Sequence, residues 1–299
     1  MIPERADVFT RAAAHTTSDF PLLVSNAMGK VALDSYRAAE SPLKTLCRQR
    51  TLPNFKESTA IRLGEMGRLE EIAETGEITH TSRAENGETM RLKTFARGVT
   101  VSRNLLIDDD LGMLGDTTSA LGEAAAQTEA DILVDLIVSN PNLSDGTAVF
   151  DASRSNVGTA AAPSVAALTA ARQAMRTRTG LDGKTIISAT PRFVLVPADL
   201  ETEAEQVLAT IQPNATSDVN PFGGKLTLLV EPRLPSGTWY VFADTARLAA
   251  MQYAYLSGAQ GVQIQRTEAW DTLGMKFRAF LDFGAGWLDW RAAHQVPEA

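Results

Sequence analysis

The sequence predicts an α+β protein, and three observations carry that reading. A long amphipathic helix starts just after Asp108-Asp109-Asp110 and runs to about Ser139. A polar, hairpin-like stretch from Arg62 to Arg97 precedes it. Beyond it, helices interleaved with short apolar strands give way to a C-terminal run of alternating strands.

Residues 1–17 mix Ala, Thr and charges with little apolar order and read as a mobile or partner-dependent arm. Ser18-Asp19-Phe20-Pro21 is a helix start, a capping candidate followed by proline in the first turn. That helix is expected to pass through Leu22, Leu23, Ala27 and Val31 to about Ala39, where Ser41-Pro42 stops it. Thr51 to Lys56 reads as extended.

The stretch from Arg62 to Arg97 is rich in Glu, Gly, Thr and Arg and poor in large apolar residues. Asn86-Gly87 is its best hairpin turn. Met90, Leu92 and Thr94 alternate with Arg91, Lys93 and Phe95, as a returning strand would. A polar two-stranded ribbon does not hold itself together in water. It is therefore expected to lie on a neighbouring subunit. Glu65, Glu70, Glu71, Glu74 and Glu77 beside Arg62, Arg68, Arg83, Arg91 and Arg97 read either as a solvated face or, the reading favoured for a ribbon with so little support of its own, as charge pairs between subunits that set register more than affinity.

In the long helix Leu114, Leu121, Ala125, Ile132 and Leu136 fall near one face. Three carboxylates at its start suit both capping and the helix dipole. About 28 residues rising about 1.5 Å each give a rod of about 40 Å. Asn140-Pro141 breaks it. Ser164 caps the next helix, with Val165, Leu168, Ala171 and Met175 on one face and Gly180 closing it. Pro191 to Pro197 reads as a buried strand, and a helix from Asp199 carries Leu200, Ala204, Val207 and Ile211. Asn214 to Gly224 reads as a loop before strands Leu226–Val230 and Trp239–Ala243. Further on, Met251, Tyr253 and Tyr255 alternate, as do Val262 and Ile264. From Met275 to Phe283 the odd positions are apolar or small, with Lys276, Arg278 and Asp282 opposite, which predicts a half-buried antiparallel strand. These strands are expected to pack on the long helix.

Composition narrows the function classes. With 299 residues, 44% hydrophobic and 21% charged, the chain is an ordinary globular protein of one large or two smaller domains. A net charge of −8 argues against tight wrapping of nucleic acid. No apolar run is long enough for a membrane span, and the start lacks the order of a secretory signal. A single cysteine, Cys47, excludes an internal disulfide framework and fits a reducing compartment.

Chemistry is sparse. His15, His80 and His294 have no metal-ligand spacing and read as isolated surface residues. Cys47 has no histidine near it and reads as inert. Gly223-Gly224-Lys225 lacks the first glycine of a phosphate loop, and Leu226 stands where its Ser or Thr belongs. Asp282-Phe283-Gly284 matches a kinase triplet by letters only, at the end of an alternating strand. Asp108, Asp109 and Asp110 are explained by capping without a metal. No catalytic, cofactor-binding or metal-ligating residue is expected; a hydrolase with a dispersed acidic site is the enzyme alternative, and no motif supports it.

The chain resembles tailed-phage major capsid proteins of the Hong Kong 97-like fold, and more narrowly the Mu-like major head subunits, which are sometimes encoded behind a prohead protease. The resemblance rests on Thr16-Thr17-Ser18-Asp19-Phe20-Pro21, on Ile61-Arg62-Leu63-Gly64-Glu65-Met66-Gly67, and most strongly on Val101-Ser102-Arg103 with Leu106 through Gly112. It continues through Leu121 to Ala126 and Glu129-Ala130-Asp131, and ends in Leu281 through Gly286 and Leu288-Asp289-Trp290-Arg291. The resemblance implies an N-terminal arm and helix (1–60), an extended β-hairpin loop (61–100), the spine-helix region of a peripheral domain (101–140), an axial α/β domain (141–249) and C-terminal strands of the peripheral domain (250–299). It also implies a structural protein of the virion, assembled in the host bacterial cytoplasm from hexamers and pentamers into an icosahedral shell. That shell would enclose double-stranded DNA without sequence-specific binding or a membrane. Portal, prohead protease or scaffold, and decoration proteins are the partners implied. Some relatives cross-link through a Lys–Asn isopeptide bond; Lys93 lies in the corresponding region, with no acceptor or catalytic carboxylate identified. An encapsulin-like compartment of the same fold is the alternative.

Overall fold

The computed structural model describes residues 21–63, 85–102, 113–209, 222, 224–268 and 274–297. Four helices, α1 (Pro21–Ala38), α2 (Met113–Val138), α3 (Val165–Arg176) and α4 (Glu201–Leu208), combine with eleven strands in that part of the chain. The strands before α2 are β1 (Cys47–Leu52), β2 (Ser58–Leu63), β3 (Glu85–Met90) and β4 (Lys93–Ser102). Then come β5 (Pro191–Val196), β6 (Thr227–Val230), β7 (Thr238–Ala243), β8 (Met251–Leu256), β9 (Gln263–Glu268), β10 (Gly274–Trp287) and β11 (Ala293–Pro297).

Two sheets organise the subunit. The first runs β1-β8-β10-β4, with β9 also paired to β10. Its β1–β8 pair is parallel and the β10 pairs are antiparallel. Helices α1 and α2 pack together over this sheet, α2 against β10 and α1 against β9. The second sheet runs β11-β7-β5-β6, flanked by α3 and α4. The strands read from the sequence end at Phe283; beyond them β11 pairs with β7 in the second sheet. One hydrophobic core, from Leu43 and Leu133 through Trp239 and Phe242 to Phe283 and Trp287, is continuous across both sheets.

Helix α2 spans 26 residues, about 39 Å at 1.5 Å per residue. Its start after the aspartate triplet agrees with the sequence, but Asp108, Asp109 and Asp110 themselves lie outside the described residues. The buried stripe is Leu121, Ala126, Glu129, Ala130, Leu133, Val134 and Ile137, while Ala125, Ile132 and Leu136 are only half-buried. The true inner face is thus rotated by about one residue from the apolar pattern, because a glutamate, Glu129, sits at its centre. Gly122 sets the α1–α2 crossing: a Cβ there would lie 2.3 Å from the Ala32 carbonyl oxygen.

Helix α3 begins as expected, with Ser164 Oγ accepting from the Ala167 amide. Leu168, Ala171 and Met175 are buried, but Val165 in its first turn is exposed. The helix ends at Thr177 rather than Gly180, whose amide donates instead to the Thr185 carbonyl.

The hairpin differs from expectation in a specific way. Asn86-Gly87 is not the turn: Asn86 pairs with Arg62 and Gly87 with Ile61 inside the β2–β3 ladder. Glycine at 87 leaves room for the Thr59 methyl, which would lie 2.7 Å from an added Cβ. The connection between the two strands falls outside the described residues.

Strand β10 alternates as predicted at Phe277, Ala279, Leu281 and Phe283, all buried. Asp282, placed on the wet side by the pattern, is 5% exposed and accepts from Thr94 Oγ1 at 2.6 Å. Asp282-Phe283-Gly284 lies inside β10, not at its end. Gly284 there allows close approach to the Arg91 backbone, whose carbonyl oxygen would be 2.5 Å from an added Cβ.

Candidate functional site

Among the described residues no cluster of His, Cys, Asp and Glu could hold a metal ion. His15, His80 and Gly223 lie outside the described residues. Cys47 is buried at the start of β1, and burial pushes its thiol up to about 12, so it is protonated and unreactive at neutral pH. Among the described residues, the buried polar groups the fold brings together join one element to another.

The first joint ties both helices to the first sheet. Lys44, from the short turn Pro42–Leu46, meets Glu129 of α2 at 2.5 Å, and both side chains are almost wholly buried. Tyr36 of α1 and Tyr255 of β8 donate to the same carboxylate at 2.7 and 2.9 Å, and Lys44 Nζ lies 3.1 Å from each phenolic oxygen. Burial is the strongest influence on Lys44 and opposes its charge, but Glu129, Glu40 and Tyr255 together hold the ammonium pKa above its ordinary value. Burial and then Glu129 raise both tyrosines. The buried charges are thus paired and hydrogen-bonded, the condition under which such a pair is tolerated.

The second joint lies where β11 meets α3. Arg178 donates to the carbonyls of Arg291 and Ala293 at 2.6 and 2.8 Å, and to His294 Nδ1 at 3.0 Å. Because a guanidinium only donates, Nδ1 must accept, which puts the His294 proton on Nε2. His294 is 4% exposed, not a surface residue as the sequence suggests. Burial and then Arg178 hold its pKa down at about 4. Burial and then Arg291 lower Arg178 to about 10. The Trp290 ring lies within 6 Å of the Arg154, Arg178 and Arg291 guanidiniums.

The third joint roots the hairpin. Glu88 of β3 is buried and accepts from Ser144 N and Oγ at 3.1 and 2.8 Å. Met90 and Leu92 pack with Leu52 of β1 and Ala254 of β8. The expectation that the ribbon has no footing on its own subunit therefore fails at its base. The pattern changes along β2, where Ile61 is 67% exposed. Phe55, just before β2, is also exposed.

A subunit with buried polar joints and a rooted two-stranded ribbon matches a known family. A model described as phage capsid protein matches residues 87–296, well over half of the chain. The chain belongs to the phage capsid protein family. Comparison with curated protein sequences finds no match. Among solved structures, the capsid of the cyanophage P-SCSP1u superposes with a TM-score of 0.62 at 12% identity, covering 87% of this chain and 88% of that one. A procapsid subunit of bacteriophage JBD30 gives 0.53 at 16% identity over 95% of this chain and 77% of that one. A virus-like particle from Pyrococcus furiosus gives 0.53 at 12% identity, covering 91% and 99%. At these identities the likeness is one of fold, and that fold is Hong Kong 97-like, in the α+β class the sequence predicts. For a phage capsid protein the relevant surfaces are those that meet other copies.

Proposed function

We propose that this phage capsid protein is the major head subunit of a tailed phage or prophage. Its copies associate as hexamers and pentamers that close an icosahedral shell around double-stranded DNA. One observation carries the reading: the β2–β3 ribbon is anchored at Glu88, Met90 and Leu92 but exposes Ile61. The residues beyond it, 64–84, hold five glutamates and few large apolar side chains. A ribbon fixed at one end, with a large apolar side chain left exposed on it, is suited to lie on a neighbour. Many such heterologous contacts close on themselves into a shell.

On this reading, 1–60 form the N-terminal arm and helix, 61–100 the extended loop, whose return strand β4 is seated on β10, and 101–140 with 250–299 the peripheral domain. Residues 141–249, the region of the second sheet, form the axial domain, with β11 crossing to it. We assign the chain to the Mu-like head subunits. Portal, prohead protease or scaffold, and decoration proteins are its expected partners, and host bacterial cytoplasm the place of assembly. A net charge of −8 keeps packaged DNA unbound and free to leave.

The test joins Leu63 to Glu85 by a short Gly/Ser linker, which removes 64–84. A deletion reaching Glu88 would instead unroot the hairpin and damage the subunit. Leu63 and Glu85 are ladder partners, so a short linker closes the gap. The variant should fold with an unchanged circular dichroism spectrum and form no particles by sedimentation and negative-stain microscopy; normal particles would refute the role given to the loop. The likeness to the Pyrococcus furiosus particle supports a second reading, a compartment shell holding protein cargo. Nuclease-protected DNA in particles from the native source decides for the phage head, and packaged protein without DNA for the compartment.

A further inference from the structure

A cleft of about 490 Å³ opens where the hairpin root, β1, β8 and the chain after β7 come together. Arg48 and Arg50 of β1 and Arg247 line it. Register places Arg48 beside Gln252 of the parallel strand β8. None of the three arginines forms an ion pair with a carboxylate among the described residues. Arg50 donates to Gln252 Oε1 at 3.3 Å, and Arg247 to the Ile187 carbonyl at 3.4 Å. Gln252 is fully buried and also lines the cleft, and its Nε2 has no acceptor. The Arg50 bond fixes the amide orientation, since a flipped amide would set donor against donor. Three guanidiniums and an unsatisfied amide donor thus surround one concavity, whose single lining carboxylate, Asp289, is taken up by Arg291, in a protein with 36 acidic and 28 basic residues. Ile61 and Leu248 supply apolar wall.

We propose that this cleft receives an acidic side chain from a second copy of the chain, forming an Arg–carboxylate contact between subunits. A carboxylate offers acceptors to the arginine forks and to the Gln252 amide together. The concave shape and apolar walls suit a protruding side chain, whereas a DNA duplex presents its phosphates on a convex surface. The predominance of carboxylates on every copy makes a second copy the complementary partner. The inference rests on the shell reading for its setting, but its test separates the two.

The experiment uses the full chain in two forms. Arg48→Glu/Arg50→Glu/Arg247→Glu is assayed for fold by circular dichroism and for assembly by sedimentation velocity. Arg50→Lys, which keeps the charge, is mixed as light and isotope-labelled copies and treated with a carbodiimide, which couples amine to carboxylate with loss of water. The expected results are a folded triple variant whose particle yield falls about tenfold or more, and, in Arg50→Lys, a cross-link from the introduced amine to an aspartate or glutamate that joins light to heavy peptides. Normal particles from the triple variant, with no mixed cross-link, would overturn the cleft contact and leave the shell reading intact. A wild type that forms no particles, with an Arg50→Lys variant that still yields the mixed cross-link, would overturn the shell reading and uphold the contact. Particles that assemble normally from the triple variant but lose retained DNA would assign the cleft to phosphate, against this proposal.

Discussion

Lys44 and Glu129, far apart in sequence, meet at 2.5 Å in the interior, where side-chain exposure is 7% and 1%. The pair joins the turn after α1 to the middle of α2, with Tyr36 and Tyr255 filling further hydrogen-bond positions. Removing Lys44 leaves the Glu129 carboxylate buried without a cation, which typically costs about 3–5 kcal/mol, whereas Lys44 also reaches the exposed Glu40 at 2.9 Å. Lys44→Met should therefore lower the denaturation midpoint sharply. Lys44→Met/Glu129→Leu should recover much of the loss, because both desolvation penalties go together. Equal destabilisation by the single and double variants, measured in urea, would refute the pairing energetics.

Gly122 carries the next prediction. With the Ala32 carbonyl oxygen 2.3 Å from where a Cβ would be, Gly122→Ala forces α1 and α2 apart. Helix propensity alone favours alanine by about 1 kcal/mol. Overpacking by one methyl in a tight contact costs about 1–3 kcal/mol, and here the obstacle is backbone, which yields little. The net expectation is a less stable subunit. A raised melting temperature would show that the crossing is looser than described.

These two residues also mark where sequence reading works and where it stops. Helix α2, the Ser164 cap, strand β5 and the alternation of β10 are all legible, because each is written in local spacing. Glu129 is not: a buried glutamate is invisible to an apolar pattern, and its partners Tyr36, Lys44 and Tyr255 come from three distant elements. Asp282 and His294 escape for the same reason, as polar residues whose burial is allowed by partners far along the chain. Asn86-Gly87 misleads in the opposite sense: its letters favour a turn, but the glycine answers to packing against Thr59. The arginines of the cleft carry no spacing signal at all, since β1, β8 and the segment after β7 meet only in the fold.

Acid should reveal the second joint. The folded pKa of His294, about 4, lies below the ordinary histidine value of 6.5. As pH falls, the unfolded chain takes up this proton first, so the native state loses ground. The contribution is fully present above about pH 6.5 and declines down to about pH 4, by up to about 3 kcal/mol. His294→Gln, which keeps a side chain able to accept from Arg178, should flatten this part of the stability–pH curve relative to wild type. An unchanged slope between pH 6.5 and 4 would show that His294 is not the group that titrates.

The hairpin root offers the last prediction, because it separates subunit stability from assembly. Glu88 accepts from a backbone amide and a hydroxyl of the same residue, Ser144, and charge-assisted bonds of this kind contribute about 1.5–3 kcal/mol together with the desolvation they offset. The bonds fix the direction in which β2 and β3 leave the body. Met90 and Leu92 beside them form a cluster separate from the main core around Trp239 and Phe283. Glu88→Ala should therefore lower the global melting temperature modestly but reduce assembly strongly, as the ribbon no longer departs in one orientation. Ser144→Ala, which keeps the amide donor, should show a weaker version of both effects. Hydrogen exchange at the Thr89 and Met90 amides, faster in Glu88→Ala while core amides stay protected, would locate the change at the root. Exchange accelerated evenly through the subunit would instead mean that Glu88 acts on the whole fold.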